Sequence, residues 1–413
     1  MKITSRPLKV DGHIQAPASK SAAQRAIAIA SLAEGNSWIM KPGEADDVMA
    51  AIAICRTMGA TIRQEGEDLN ITGGLEPPTN PLHCRESGLS VRMFAGIASI
   101  FDEEIEMTGH GSLLNRPMEV VATSLQALGV RCQTTSGKLP FSIQGPLKGG
   151  QVDIDGSMSS QVLTGILIAA PFARNELCLH VSHLKSKPYI DLTMDIMKTF
   201  GVETTNEDYQ RFTVPARQTY RACRFTVEGD WSGAAFLLVA GAIAGEVTVT
   251  NLHADSSQGD KRVIEALHAA GARVEWRADG FVASKSSLHA FSFDATDCPD
   301  LFPPLVSLAT HCEGTSQITG VSRLRAKESD RAATLRDVFA RMGIDIWLEQ
   351  DTLFVKGGQP KAATVSSHGD HRIAMAAAVT ALNGEGPVSI EQAEAVNKSY
   401  PGFFNELANS THP

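Results

Sequence analysis

Four cations and two carboxylates fall within the nine residues Arg323-Leu324-Arg325-Ala326-Lys327-Glu328-Ser329-Asp330-Arg331. On a solvated helix such a run would contribute only weak i,i+4 pairs. Glu328, flanked by Lys327 and Arg331, can also serve as a base, because those cations favour its ionised form. Polar and charged groups recur along the chain: Ser19-Lys20-Ser21 with Arg25, Ser87-Gly88-Leu89-Ser90-Val91-Arg92, Ser159-Ser160-Gln161, Asp230-Trp231-Ser232, Asp300 and Asp370-His371-Arg372. Each stands where an apolar helix is expected to begin. A helix start binds anions through its unpaired N–H groups and dipole. Serine or aspartate there also suits a plain N-cap. Capping does not call for Lys20, Arg25, Arg92 and Arg372, since the dipole disfavours cations at that end. The conflict points to a bound anion.

Further cations follow the strands, in Asn115-Arg116-Pro117, Ser186-Lys187-Pro188-Tyr189-Ile190-Asp191 and Asn397-Lys398-Ser399-Tyr400-Pro401. Net charge is -9, so the bulk field repels nucleic acid and anionic membrane. An acidic chain with locally clustered cations fits small polyanionic substrates. Only Tyr189 and Tyr400 lie near the basic loops, which leaves no stacking platform for bases.

The elements that must position these groups repeat. Helix-like segments end at Gly59, Gly129, Gly201, Gly271 and Gly343, a spacing of about 70 residues that marks an internal repeat. Each glycine is a natural left-handed helix stop. Strands are expected after them at Thr61–Arg63, Val130–Cys132, Val202–Thr204, Arg273–Trp276 and Ile344–Trp347. Apolar, Ala-rich helices interleave at Arg25–Ala33, Met93–Ile100, Val162–Ala170, Ala234–Ala244, Leu305–Thr310 and Ile373–Leu382, each leading into a strand. Without a polar face they should be buried beneath sheets, which argues against a solenoid. Six β-α-β-β-α-β-like copies result. The sixth lacks its second half, and the N-terminal strand Lys2–Val10 is expected to complete it. The expected domains are 20–227, and 1–19 plus 228–413, with the active site in the cleft between them.

At 413 residues the chain is long enough for two domains. Its start, Met1-Lys2-Ile3-Thr4-Ser5-Arg6, shows no apolar signal region. Seven scattered cysteines without a CxxC argue for reduced thiols, hence a cytoplasmic location. Gly156–Ser160 is not a nucleophile elbow, no GxxxxGK[ST] is present, and His368-Gly369-Asp370-His371 lacks an upstream ligand cluster.

The joint order of Ser159-Ser160-Gln161, Ser186-Lys187-Pro188-Tyr189-Ile190-Asp191, Lys327-Glu328-Ser329-Asp330-Arg331 and Asp370-His371-Arg372 resembles the enolpyruvyl transferases. Within them it resembles the 3-phosphoshikimate 1-carboxyvinyltransferase (EPSP synthase) family. The matches run from Ser19-Lys20-Ser21 to Lys398-Ser399-Tyr400-Pro401. The resemblance implies an α/β fold of two domains, each of three βαββαβ units with buried helices, an inside-out α/β barrel. It implies transfer of the enolpyruvyl group of phosphoenolpyruvate to the 5-hydroxyl of shikimate 3-phosphate. The phosphoenolpyruvate methylene is protonated as the hydroxyl attacks C2; the tetrahedral intermediate then loses phosphate and a methyl proton. No metal or redox cofactor is implied. Shikimate 3-phosphate would be held by Lys20, Ser21, Arg25, Ser159, Ser160, Gln161, Ser186, Tyr189, Asp300 and Lys327. Phosphoenolpyruvate would be held by Lys20, Gly88, Arg116, Gln161, Arg331, Arg372 and Lys398. Asp300 would accept the hydroxyl proton, Glu328 would act as base in the elimination, and Lys20, crowded by Arg25, would shuttle protons. A monomer is the default expectation. Glu86-Ser87-Gly88-Leu89, Ala18 and Arg323 depart from the family pattern. A UDP-N-acetylglucosamine enolpyruvyl transferase is the nearest rival, disfavoured because no cysteine sits in the Gly109–Met118 loop. A non-catalytic anion-binding repeat would have no use for Asp300 or Glu328.

Overall fold

A computed structural model describes residues 1–157, 159–325 and 327–412; Met158, Ala326 and Pro413 lie outside the described residues. The six apolar segments form helices Lys20–Leu32, Gly88–Ala98, Ser160–Ala169, Trp231–Ala244, Phe302–Thr310 and His371–Ala381. They are buried on nearly every side. All fourteen residues of Trp231–Ala244 are buried, as expected of a helix apolar all round. Small residues let such helices pack closely. A Cβ on Gly96 would run into the backbone of Gly165, so Gly88–Ala98 and Ser160–Ala169 meet backbone to backbone.

A second helix set, Asp46–Thr57, Glu119–Ala127, Pro188–Thr199, Val263–Ala269 and Arg331–Arg341, ends on the repeating glycines. Gly59, Gly129, Gly201, Gly271 and Gly343 all take positive φ, between 77° and 96°, the left-handed turn that only glycine adopts without strain.

The chain divides into two units, Ala18–Val227 and Met1–Pro17 with Glu228–Pro413. In the first, three four-stranded sheets share one order: a parallel pair, then two antiparallel pairings. Gly150–Asp155, Leu177–Ser182, Arg211–Val214 and Thr205–Glu207 form the third of these. The expected strand at Val202–Thr204 therefore begins three residues later.

The second unit repeats the order in Ser292–Asp294, Thr315–Thr319, Thr352–Lys356 and Ile346–Glu349. The N-terminal segment completes its other two sheets. Lys2–Val10 is not one strand. Lys2–Ser5 pairs antiparallel with Val388–Glu391, and Lys9–Gln15 pairs parallel with Gly245–Thr250. The interruption at Arg6-Pro7-Leu8 contains a proline, which cannot donate to a ladder. One short segment thus completes two sheets. Each unit buries its own apolar cluster.

Candidate active site

The polar residues at the buried helix starts act first as caps. Ser19, Ser87, Ser159, Asp230 and Asp370 each accept a backbone N–H of their own first turn. Asp300 does not. It lies in the turn Pro299–Leu301, and its carboxylate is engaged elsewhere.

In the unit holding residues 228–412, that carboxylate gathers three cations. Oδ1 of Asp300 accepts from Arg331 Nη1 at 2.7 Å and Lys327 Nζ at 3.1 Å, and Oδ2 accepts from Arg372 Nη2 at 3.2 Å. Arg331, wholly buried, donates through Nε to Asp370 Oδ2 at 2.8 Å and through Nη2 to Glu328 Oε2 at 2.7 Å. Ser329 Oγ donates to the same Asp370 oxygen at 3.1 Å. Burial alone would push the Asp300 carboxyl up, but Arg372, Lys327 and Arg331 hold it well below the usual range. Burial opposes the charge of Arg331 too, yet Asp370, Glu328 and Asp300 raise it further. For Lys327 burial prevails over Asp300, and its ammonium is pushed down.

Asp300, Lys327, Glu328, Arg331 and Arg372 therefore form one network, which Asp370 locks. Lys398 ends the turn Ala393–Lys398, which packs on helix His371–Ala381. The cations of this network are already balanced by carboxylates.

In the unit 18–227 two smaller groups form. Arg116, buried, lies against Gly88 so closely that a Cβ there would collide with its guanidinium. Gly88 leaves room for that guanidinium, and its φ is not positive. Arg92 spans Gly88 O at 3.0 Å and Gln161 Oε1 at 3.2 Å, so Gly88, Arg116 and Gln161 share one corner. Glu86, a departure from the family pattern, accepts from Ser112 Oγ at 2.8 Å and holds the turn Gly111–Asn115 that precedes Arg116.

The second group centres on Arg25. Its guanidinium donates to Ser21 O at 2.7 Å, Thr193 Oγ1 at 2.9 Å, Tyr189 O at 3.3 Å and Thr164 Oγ1 at 3.4 Å. It ties the starts of three helices together, and burial lowers it to about 10. Ser186, buried one residue before Lys187, takes φ 58°, a region few non-glycine residues occupy. Ser159 and Ser160 open helix Ser160–Ala169.

Lys20 corrects an expectation. It is not crowded by Arg25, which points elsewhere. Its Nζ donates to Asp47 Oδ2 at 2.7 Å. Asp47, in the first turn of Asp46–Thr57, was missed because first-turn acids are ordinary dipole partners. The Asp260 carboxylate is also buried, and burial first, then Asp300, pushes it up to about 6.

His368 pairs with Asp337 at 3.4 Å while His371 is buried beside Asp370. Among the described residues no group of three or more His, Cys, Asp or Glu could hold a metal ion. No helix among them is long and apolar enough to cross a membrane.

Residues 5–407 match the family model described as EPSP synthase (3-phosphoshikimate 1-carboxyvinyltransferase). The chain is 38% identical to the 3-phosphoshikimate 1-carboxyvinyltransferase of Methanocorpusculum labreanum over 98% of both chains. It is 35% identical to that of Clostridium kluyveri over 98% of this chain and 96% of the relative. A solved EPSP synthase from Acinetobacter baumannii superposes with TM-score 0.84 at 30% identity, covering 99% of this chain and 98% of that one. The enolpyruvyl transferase NikO from Streptomyces tendae shares the fold at TM-score 0.79, 16% identity and full coverage of this chain.

Proposed function

Because the chain belongs to the EPSP synthase (3-phosphoshikimate 1-carboxyvinyltransferase) family, we infer how its residues divide the work of that reaction. The enzyme transfers the carboxyvinyl group of phosphoenolpyruvate to shikimate 3-phosphate and releases phosphate. The 5-hydroxyl is the acceptor on our reading. Gly88, Arg116 and Gln161 in one unit, and Arg331, Arg372 and Lys398 in the other, are proposed ligands of phosphoenolpyruvate. Ser21, Arg25, Ser159, Ser160, Ser186, Tyr189, Asp300 and Lys327 are proposed ligands of shikimate 3-phosphate, and Lys20 takes part in both sets.

One observation carries this reading: three cations converge on the carboxylate of Asp300, with Glu328 on the same guanidinium. Asp300, held low by those cations, gains basicity once anionic substrates share them, and then accepts the hydroxyl proton. Glu328 takes the methyl proton as phosphate leaves. Preorganised charge of this kind orients two polyanions and offsets their repulsion. Lys20, paired with Asp47, is the proposed proton shuttle. Unpaired cysteines support a cytoplasmic location, and a monomer suffices because one chain carries every residue assigned.

Phosphate release is the test. It should require both shikimate 3-phosphate and phosphoenolpyruvate. No release with the pair, or release with UDP-N-acetylglucosamine as acceptor instead, would overturn the reading.

A further inference from the structure

The turn 186–189, closed by the Tyr189 N–H on Ser186 O at 3.1 Å, leads into helix Pro188–Thr199 and is held from two sides. On the buried side Tyr189 O accepts from Thr193 Oγ1 at 2.7 Å and from Arg25 Nη2 at 3.3 Å. On the half-buried side stands Tyr209, from the hairpin joining strands Thr205–Glu207 and Arg211–Val214. Its hydroxyl donates to Asp191 Oδ2 at 2.7 Å, and the ammonium of Lys187 lies 5.2 Å from its ring centre. Lys187 and Asp191 flank Tyr189 on either side in the chain. One side chain therefore brackets Tyr189, with a charge-assisted hydrogen bond at one end and a cation over an aromatic face at the other.

Tyr209 occupies a costly place. Asp208 and Tyr209 take φ 52° and 58°, and Gln210 N donates to Glu207 O at 2.9 Å, the pattern of a two-residue type I′ hairpin. Glycine suits the second position of such a turn, and a bulky side chain there is strained. The hairpin is closed without the ring, since Tyr209 N donates to Asn206 Oδ1 at 2.8 Å. Strained residues gather where function holds them, and Ser186, in the turn that Tyr209 grips, is another at φ 58°. We propose that Tyr209 is a positioning residue for shikimate 3-phosphate: bound to Asp191 and Lys187 at once, it holds Ser186 and Tyr189 in the geometry that receives that substrate. The proposal rests on the reading of Ser186 and Tyr189 as ligands of shikimate 3-phosphate.

Tyr209→Phe keeps the ring beneath Lys187 and its edge contact with Phe212 but loses the bond to Asp191. The Michaelis constant for shikimate 3-phosphate should rise about fivefold, the scale of one hydrogen bond. Tyr209→Leu, which also removes the aromatic face, should raise it about tenfold or more. In both, the constant for phosphoenolpyruvate should stay within about twofold and kcat near the parent's, a split that general loosening of the fold would not give. Asp191→Ala should match Tyr209→Phe, and the two together should be no worse than either alone, since both delete one bond. A parent-like constant for shikimate 3-phosphate in Tyr209→Leu would overturn the proposal. Equal loss toward both substrates with a lowered Tm, or additive losses in the double variant, would overturn it too. If the parent itself releases no phosphate from the substrate pair, the functional reading falls and takes this proposal with it; an active parent with unaffected variants sinks this proposal alone.

Discussion

Nε of Arg331 lies 2.8 Å from Oδ2 of Asp370, and both side chains are fully buried. Asp370 also caps helix His371–Ala381, accepting the N–H of Arg372 at 3.0 Å. One carboxylate thus fixes two of the arginines assigned to the substrate. Asp370→Ala should lower stability by about 3–5 kcal/mol, the penalty for stranding a buried charge. Asp370→Asn, which still caps well, should lose clearly less. Equal losses of under about 1 kcal/mol by urea denaturation would show that the pair is not an anchor.

Glu328→Gln separates chemistry from binding. Its Oε2 accepts from Arg331 at 2.7 Å, and glutamine retains that acceptor but takes no proton near neutral pH. Turnover should fall by about 10² to 10⁴, the range for a positioned base, with substrate affinity kept. Near-normal turnover is incompatible with the assigned role.

Gly96→Ala tests the helix packing. Helix propensity alone favours alanine by roughly 1 kcal/mol. The new Cβ would meet the backbone of Gly165 and Ile166, which cannot move as a side-chain end can. Overpacking of this kind costs about 1–3 kcal/mol, occasionally more, so the variant should be less stable than the parent. A stabilised variant would show that these helices do not approach so closely.

His311 should govern part of the acid sensitivity. Burial lowers its imidazole to about 4, against the hydrogen bond to Thr380 O at 3.1 Å. A base depressed in the fold contributes stability above its unfolded pKa and loses it as pH falls from about 6.5 toward 4. His311→Gln should lose less stability than the parent over that window, by on the order of 2 kcal/mol. Parallel pH–stability curves would rule this out.

The buried helices and their stops are legible in the sequence, because they depend on local composition. An Ala-rich segment without a polar face has to be covered, and a helix reversing direction at Gly59 or Gly343 needs φ near 96° or 78°. The caps Ser19, Ser87, Ser159, Asp230 and Asp370 were legible for the same reason. Where Lys2–Ser5 and Lys9–Gln15 pair was not, since strand partners lie hundreds of residues away. The ionic pairing was equally hidden. Arg331 finds Asp370 across 39 residues, Lys20 finds Asp47 across 27, and Arg372 finds Asp300 across 72. A charge in a sequence has a sign but no direction. Only the packed structure decides which carboxylate stands within reach of a buried guanidinium, because desolvation makes each such group depend on whatever neighbour the fold brings beside it.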